Sequence, residues 1–297
     1  MRILNFGSLN LDLVYTVEHS VRPGETIPST SLEYFCGGKG LNQSLAMARA
    51  GAQVYHAGCI GTDGGALKTM LEDSGVNIDF VQEVDAPSGH AVIQLDKVGQ
   101  NSILLFRGAN GEITQSHIDS VLKHFQPGDF LVLQNEISQL PYLLTAGARA
   151  GLRIVLNLSP FTPELLMLPL ECVTYFVVNE IEGADLTGKT NPDDILAEIR
   201  KYYPHASTLL TLGTAGSVYD NGTDIYYGKC VPVEAVDTTA AGDTFLGYFL
   251  AHLDNSGPQE ALNLASAASA LAVTVKGAAN SIPTLAQVKT FLSKNME

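Results

Sequence analysis

Basic residues are scarce in this chain: 17 lysines and arginines stand against 31 acidic residues, a formal net charge of −14 over 297 residues. A nucleic-acid partner needs clustered Lys and Arg against its phosphate backbone, so none is expected. Small phosphorylated ligands stay open, because local dipoles and metal ions can bind them. Cysteine is scarce as well. Cys36, Cys59, Cys172 and Cys230 are scattered without a C-x-x-C pair, which predicts reduced thiols in a cytoplasmic protein and no zinc centre. Long apolar runs are missing: "ALAVTV" and "FLVLQ" are the size of strands or core-helix segments, so no membrane partner is expected. The start, "MRILNFGSLNLD", reads as strand and turn without the apolar stretch of a signal peptide. Two phosphate-binding fingerprints are absent too. Around Gly38-Lys39 a Walker A loop would need glycine where Glu33 stands and Ser or Thr where Gly40 stands. No G-x-G-x-x-G occurs anywhere, so a P-loop enzyme and a nicotinamide-dependent dehydrogenase are both disfavoured.

What is present describes a packed α/β protein. Apolar residues make up 45% and charged residues 16%, the balance of a globule with a large core. "RILNFGS", "AQVYHAGCIG", "DFLVLQ", "RIVLNLS", "YFVVN" and "STLLTLG" are short apolar runs. They alternate with helical spacings such as "GLNQSLAMARAG" and "GALKTMLEDSG". Such runs suit strands buried on both faces, so a mostly parallel central sheet flanked by helices is predicted. Two regions break the rhythm. Residues 11–36 have β-prone residues and a Pro-Gly turn, and residues 88–107 read as a hairpin around Lys97-Val98-Gly99-Gln100. They are expected to form a small β lid. Residues 1–10, 37–87 and 108–297 are expected to form the main nucleotide- and substrate-binding unit. Ligands of open α/β sheets bind beyond the carboxyl ends of the strands, beside which such a lid would lie.

Several stretches carry candidate chemistry. In "VDTTAAGDTFLG", Asp243 follows Ala240, Ala241 and Gly242 at the start of an apolar helix. Either it is an ordinary acidic residue of a first turn, or the small residues bare N–H groups for an anion. "GGKGLNQSLA" spends backbone entropy on Gly37, Gly38 and Gly40 directly before a helix, as a hinge or for close approach to a ligand. Lys39, Asn42 and Gln43 there offer donors for hydroxyls. Asn10 and Asp12 in "GSLNLD", with Glu136 in "LQNE", supply acceptors for a polyhydroxylated ligand, though Asn and Asp are also common turn residues. Asn179 and Glu182 are three apart, fitting either a phosphate and hydrated magnesium or a helix cap. "TLGTAGS" after a strand suits a nucleotide, or is a plain tight turn. The seven histidines lack metal-ligand spacing and read as structural or exposed.

These motifs, in this order, resemble the ribokinase family of carbohydrate kinases. The resemblance runs through "GSLNLD", "PGE", "GGKGLNQ", "RGAN", "QNE", "VVNEIEGADLTG", "TLGTAGS", "VDTTAAGDTF" and "AVTVKGAANSIP". It implies a ribokinase-like α/β fold and ATP-dependent phosphorylation of D-ribose at O5. Asn10, Asp12, Gly38, Lys39, Gly40, Leu41, Asn42 and Glu136 would hold the sugar, with Ala91 and Ile93 of the lid beside it. Asn179, Glu182, Thr211, Leu212, Gly213, Thr214, Ala215, Gly216, Gly242 and Ser266 would meet ATP and its Mg2+. Asp237, Thr239, Ala272, Val275, Gly277 and Ser281 match a loop for a monovalent cation, K+. Ala240, Ala241 and Gly242 would form an anion hole, and Asp243 would take the proton of the attacking hydroxyl. His90 stands where a small apolar residue is familiar, and Ser266 where a histidine often lies near the adenine. Lys39 and Gln43 favour ribose over fructose, a deoxy sugar acid or a nucleoside. A sugar-binding regulator without catalysis is the alternative from another class; the intact Gly242-Asp243 pair speaks against it. Small sheets seldom stand with a naked apolar face, so a homodimer through the lids is expected, with Val92, Leu95 and Leu104 needing cover.

Overall fold

Period-two alternation inside the apolar runs decides which layer of helices each residue meets. The computed structural model describes residues 2–295; residues 1, 296 and 297, assigned above to the main unit, lie outside it. The chain begins with β1 (Arg2–Phe6), β2 (Asn10–Thr16), β3 (Ser31–Gly37), α1 (Lys39–Arg49), β4 (Gln53–Ile60), α2 (Gly65–Asp73) and β5 (Asn77–Glu83). There follow β6 (Gly89–Leu95), β7 (Asn101–Phe106), α3 (Gln115–Leu122), β8 (Phe130–Gln134), α4 (Leu140–Arg149) and β9 (Arg153–Asn157). Next come β10 (Tyr175–Asn179), α5 (Glu180–Thr187), α6 (Pro192–Tyr202), β11 (Ser207–Thr211), β12 (Ser217–Asp220) and β13 (Ile225–Gly228). Helices α7 (Ala241–Ser256), α8 (Pro258–Ala272) and α9 (Leu285–Asn295) close the described chain. None of these helices is long and apolar enough to cross a membrane.

Nine strands pair in the order β13-β12-β11-β10-β9-β8-β1-β4-β5. They are parallel from β11 to β5, with β12 and β13 antiparallel at one edge. Ile3, Val132, Val155, Val177 and Leu209 pack on one face with residues of α1, α7 and α8. Their neighbours Leu4, Leu133, Leu156, Val178 and Leu210 pack on the other with residues of α3, α4 and α6. The parallel sheet predicted from two-face burial is therefore the observed one. Strand order reverses between β8 and β1, a topological switch point, at whose carboxyl ends open α/β sheets bind ligands.

Glycine brings the site-bearing helices together. A Cβ at Gly247 of α7 would lie 2.3 Å from the Cβ of Ala46 on α1, so the two helices cross nearly backbone to backbone. Asn42-Gln43 and Asp243 stand about one turn nearer the helix N-termini than this crossing, which sets the starts of α1 and α7 side by side.

The second sheet has four strands in the order β3-β2-β6-β7. Asn10 and Asp12 lie inside β2 rather than in a turn, and period two turns both to one face. Register places Asp12 opposite Ala91 and Val14 opposite Ile93, so Ala91 and Ile93 share that face. Gly37 opposes Asn10, and a Cβ on Gly37 would come 2.2 Å from an Asp12 carboxylate oxygen. Glycine is what leaves room for that carboxylate.

Candidate active site

Ser8, just past β1, ties the first strand to α1 and β8. Its carbonyl accepts from the Leu41 N–H at 2.9 Å, and its hydroxyl donates to the Glu136 carboxylate. The same Glu136 oxygen accepts from the Lys39 N–H at 3.1 Å. Gly38, at φ 94°, makes the turn into α1. Gly40 packs so closely on the preceding strand end that a Cβ would lie 2.4 Å from the Ser8 nitrogen. The predicted glycine-rich entry is thus a close approach of backbone to backbone.

Asp243 is buried in the first turn of α7, between two amides of α1. Asn42 Nδ2 donates to one carboxylate oxygen at 3.1 Å and Gln43 Nε2 to the other at 2.9 Å. Both side chains, read above as donors for hydroxyls, spend their N–H groups on Asp243 instead, because the helix crossing points α1's first turn at it. Asn42 keeps a buried carbonyl oxygen without a partner.

Charge accumulates around this pair. Burial, and then the Glu136 charge, pushes Asp12 up to about 6. Burial also raises Glu136, against the opposing pull of Lys39 and the Ser8 hydrogen bond. Burial works against the Lys39 ammonium, but Asp243, Glu136 and Glu182 hold its pKa above the usual lysine value. One cation therefore faces carboxylates from the ends of β8, α5 and α7. Asn10, also buried, has its carbonyl oxygen held by Asn110 Nδ2 at 2.7 Å.

The stretch read above as an anion hole, Ala240, Ala241 and Gly242, lies at the start of α7. Ala240 takes the left-handed conformation at φ 60° as N-cap of α7. Ala241 N–H reaches the Thr238 carbonyl at 3.2 Å. Among the described residues, the Gly242 and Asp243 N–H groups have no acceptor, and nothing lies within 4 Å of where a Gly242 Cβ would stand. Orphan donors at a helix N-terminus with an open approach suit an anion.

Asn179 and Glu182 form a capping box on α5. The Asn179 oxygen accepts from the Ile181 and Glu182 N–H groups, and Glu182 accepts from the Asn179 N–H at 3.1 Å. The capping alternative is realised, and the second Glu182 oxygen keeps no partner among the described residues. Thr211 ends β11; Leu212 to Gly216 form a tight turn, with Gly213 at φ 53° and Gly216 at φ 99°. Ser266 is buried on α8, which packs against α7. Asp237 caps its own turn, accepting from the Thr239 N–H at 2.9 Å, and reaches across to the Gly277 N–H at 2.9 Å. Burial opposes its ionisation, yet these bonds and the Lys276 charge hold its pKa below the usual carboxylate range. Ala272 ends α8, Val275 is exposed, and Ser281 is buried with its hydroxyl donating to the Ala278 carbonyl at 2.8 Å.

Four contributors escaped the sequence reading: Ser8, Asn110, Gln134 and Asn5. A signal existed for two of them. Asn5 and Gln134 are amides in buried, otherwise apolar stretches, residues 3–6 and 130–134, where a polar residue demands partners.

Comparison with known proteins bears on the family and the fold. The pattern described as pfkB family carbohydrate kinase matches residues 2–285. The ribokinase of Haemophilus influenzae is 34% identical over 301 residues, covering 96% of each chain. A deoxyribokinase of Salmonella typhimurium is 32% identical over 305 residues, covering 99% of this chain and 100% of that protein. Among solved structures, Arabidopsis thaliana ribokinase complexed with ribose and ATP superposes with a TM-score of 0.86 at 30% identity, covering 98% of each chain.

Proposed function

The chain belongs to the pfkB family of carbohydrate kinases, and we propose that it transfers the γ-phosphoryl group of ATP to O5 of D-ribose. The observation that carries this reading is the buried Asp243 carboxylate, held by two amides beside unpaired N–H groups at the start of α7. In this reading Asp243 takes the proton from O5 as the O5–phosphorus bond forms. The bond from the γ-phosphorus to its bridging oxygen breaks, and ADP departs with that electron pair. The Gly242 and Asp243 N–H groups meet the charge developing on the phosphoryl oxygens. Asn10, Asp12 and Glu136 accept from or donate to sugar hydroxyls, the free Asn42 oxygen accepts one, and Lys39 balances the carboxylates. Gly38, Gly40 and Leu41 form the floor, and the small sheet with Ala91 and Ile93 acts as a lid. The 211–216 turn, Asn179, Ser266 and Gly242 border the nucleotide. Magnesium, held near Asn179 and Glu182, would offset phosphate charge.

Two neighbouring carboxylates suit a vicinal diol, which favours ribose over deoxyribose, the substrate that one similar protein's name carries. An ATP-coupled screen over ribose, deoxyribose, fructose and nucleosides tests the assignment: the highest kcat/KM is expected with ribose, and a preference for any other sugar would displace it. The four free cysteines suit a cytoplasmic setting.

A potassium ion at the 237–239 turn and the 272–281 loop belongs to the same reading. Large and weakly hydrated, it would sit among backbone carbonyls near Asp237 and preorganise the segment leading into the anion hole. At equal ionic strength, activity is expected to be clearly higher in potassium chloride than in choline chloride; equal rates would remove the cation from the scheme. The lids are proposed to pair two copies. Ile103, Leu104, Leu105 and Phe106 of β7 are 54%, 70%, 60% and 51% exposed, an apolar strip that a lone protomer leaves wet. Light scattering should give twice the protomer mass at micromolar concentration, and a monomer with and without ribose would reject the pairing.

A further inference from the structure

A file of amide and hydroxyl groups leads from Asp243 into the core beneath α1. Gln43, Gln134, Asn5, Ser44 and His56 are each 0% exposed. Gln134 Nε2 donates to Gln43 Oε1 at 2.7 Å and to Asn5 Oδ1 at 2.8 Å. Asn5 Nδ2 in turn donates to the Gly40 carbonyl at 2.8 Å and the Ser44 hydroxyl at 2.9 Å. The Ser44 hydroxyl and His56 Nδ1 are hydrogen-bonded at 2.8 Å.

The direction of this file is forced at both ends. The Asp243 carboxylate and the Gly40 carbonyl can only accept. Gln43 must therefore turn its nitrogen to Asp243 and its oxygen inward, while Asn5 must turn its nitrogen to Gly40 and its oxygen to Gln134. Gln134 alone supplies hydrogens to both inward-facing oxygens. Its own carbonyl oxygen is left buried without a partner, packed where a Cβ on Gly7 would stand 2.4 Å away. An apolar side chain of the same volume would leave the Gln43 and Asn5 oxygens buried without a donor, so the file depends on Gln134.

Resting on the reading of Asp243 as the base, we propose that Gln134 is a positioning residue for phosphoryl transfer, locking the Gln43 amide so that its N–H aims the Asp243 carboxylate at the sugar hydroxyl. Gln134 touches neither substrate nor Asp243. It acts only through Gln43, and that route makes the proposal testable by coupling.

The test compares Gln43→Met, Gln134→Met, the double variant and Asp243→Ala, alone and combined with Gln134→Met, in the full chain with ribose and ATP. Gln43→Met and Gln134→Met should each lower kcat by about 10- to 100-fold, the range for loss of an orienting partner, with the KM for ATP nearly unchanged. The double variant should be no slower than Gln43→Met, and Gln134→Met should add nothing in the Asp243→Ala background. Gln134→Glu provides a polar second variant if Gln134→Met is insoluble; a buried acid has one hydrogen to give where the amide has two, so kcat should fall again. Losses that multiply, or a folded Gln134 variant with parental kcat, would overturn the proposal while leaving Asp243 as the base. Parental activity in Asp243→Ala would remove the base reading and this proposal together.

Discussion

Asp243→Asn is expected to lower kcat by about 10²–10⁴-fold, the worth of a positioned proton acceptor. The surroundings make this substitution harsher than its size suggests. Asp243 accepts one N–H from Asn42 and one from Gln43, whereas asparagine has a single acceptor oxygen. One α1 amide must then face another N–H, so the helix start loosens as well as losing its base. Asp243→Ala separates the two effects, since it removes the acceptor without adding a donor. Both variants should stay folded, because α7 is held by Gly247 on Ala46 and by its apolar length. Sugar binding should weaken less than turnover falls. Steady-state kinetics with a melting curve for each variant decides the matter; retention of more than half the parental kcat by Asp243→Asn would end the base assignment.

The second large effect is on acid stability. Burial depresses His56 from 6.5 to about 4, against a weaker opposing contribution from the Gly7 backbone. The unfolded chain therefore binds a proton that the folded one refuses. This contribution to stability is complete above about pH 6.5 and is lost as pH falls toward 4, amounting to roughly 3 kcal/mol at one pKa unit per 1.36 kcal/mol. Asp12 has the opposite sign. Raised to about 6 from 3.8, it is protonated in the folded state first, so its ionisation weakens the empty protein above pH 6 and that cost disappears on acidification. Glu136, also raised, acts with Asp12, and the parent should lose less stability in acid than His56 alone would dictate. His56→Asn keeps a polar partner for Ser44 near the Nδ1 position and removes the titration. Urea unfolding between about pH 7 and pH 4 should show the parent losing roughly 3 kcal/mol more than His56→Asn. Parallel curves for the two proteins would refute the linkage.

The amino-acid sequence by itself determined the layers, the two sheets and the stretches that gather at the carboxyl ends of the strands. Apolar runs of strand length can be satisfied only inside a two-faced sheet, and the period-two register of β2 and β6 follows once they pair. The glycines before α1 and the small residues before α7 were legible for a similar local reason: missing side chains bare a backbone. Hydrogen-bond partners were not legible. Asn42 and Gln43 look like free donors in "GGKGLNQ", yet both meet Asp243, 201 and 200 positions away. Asn179 and Glu182 had two readings until the start of α5 closed them into a cap. Asn110 holds Asn10 from 100 positions away. Spacing along a chain says which groups can share a face, but the partner of a buried donor depends on how closely two elements cross. Here the contact of Gly247 with Ala46 decides it, because that approach sets two helix starts within reach of one carboxylate.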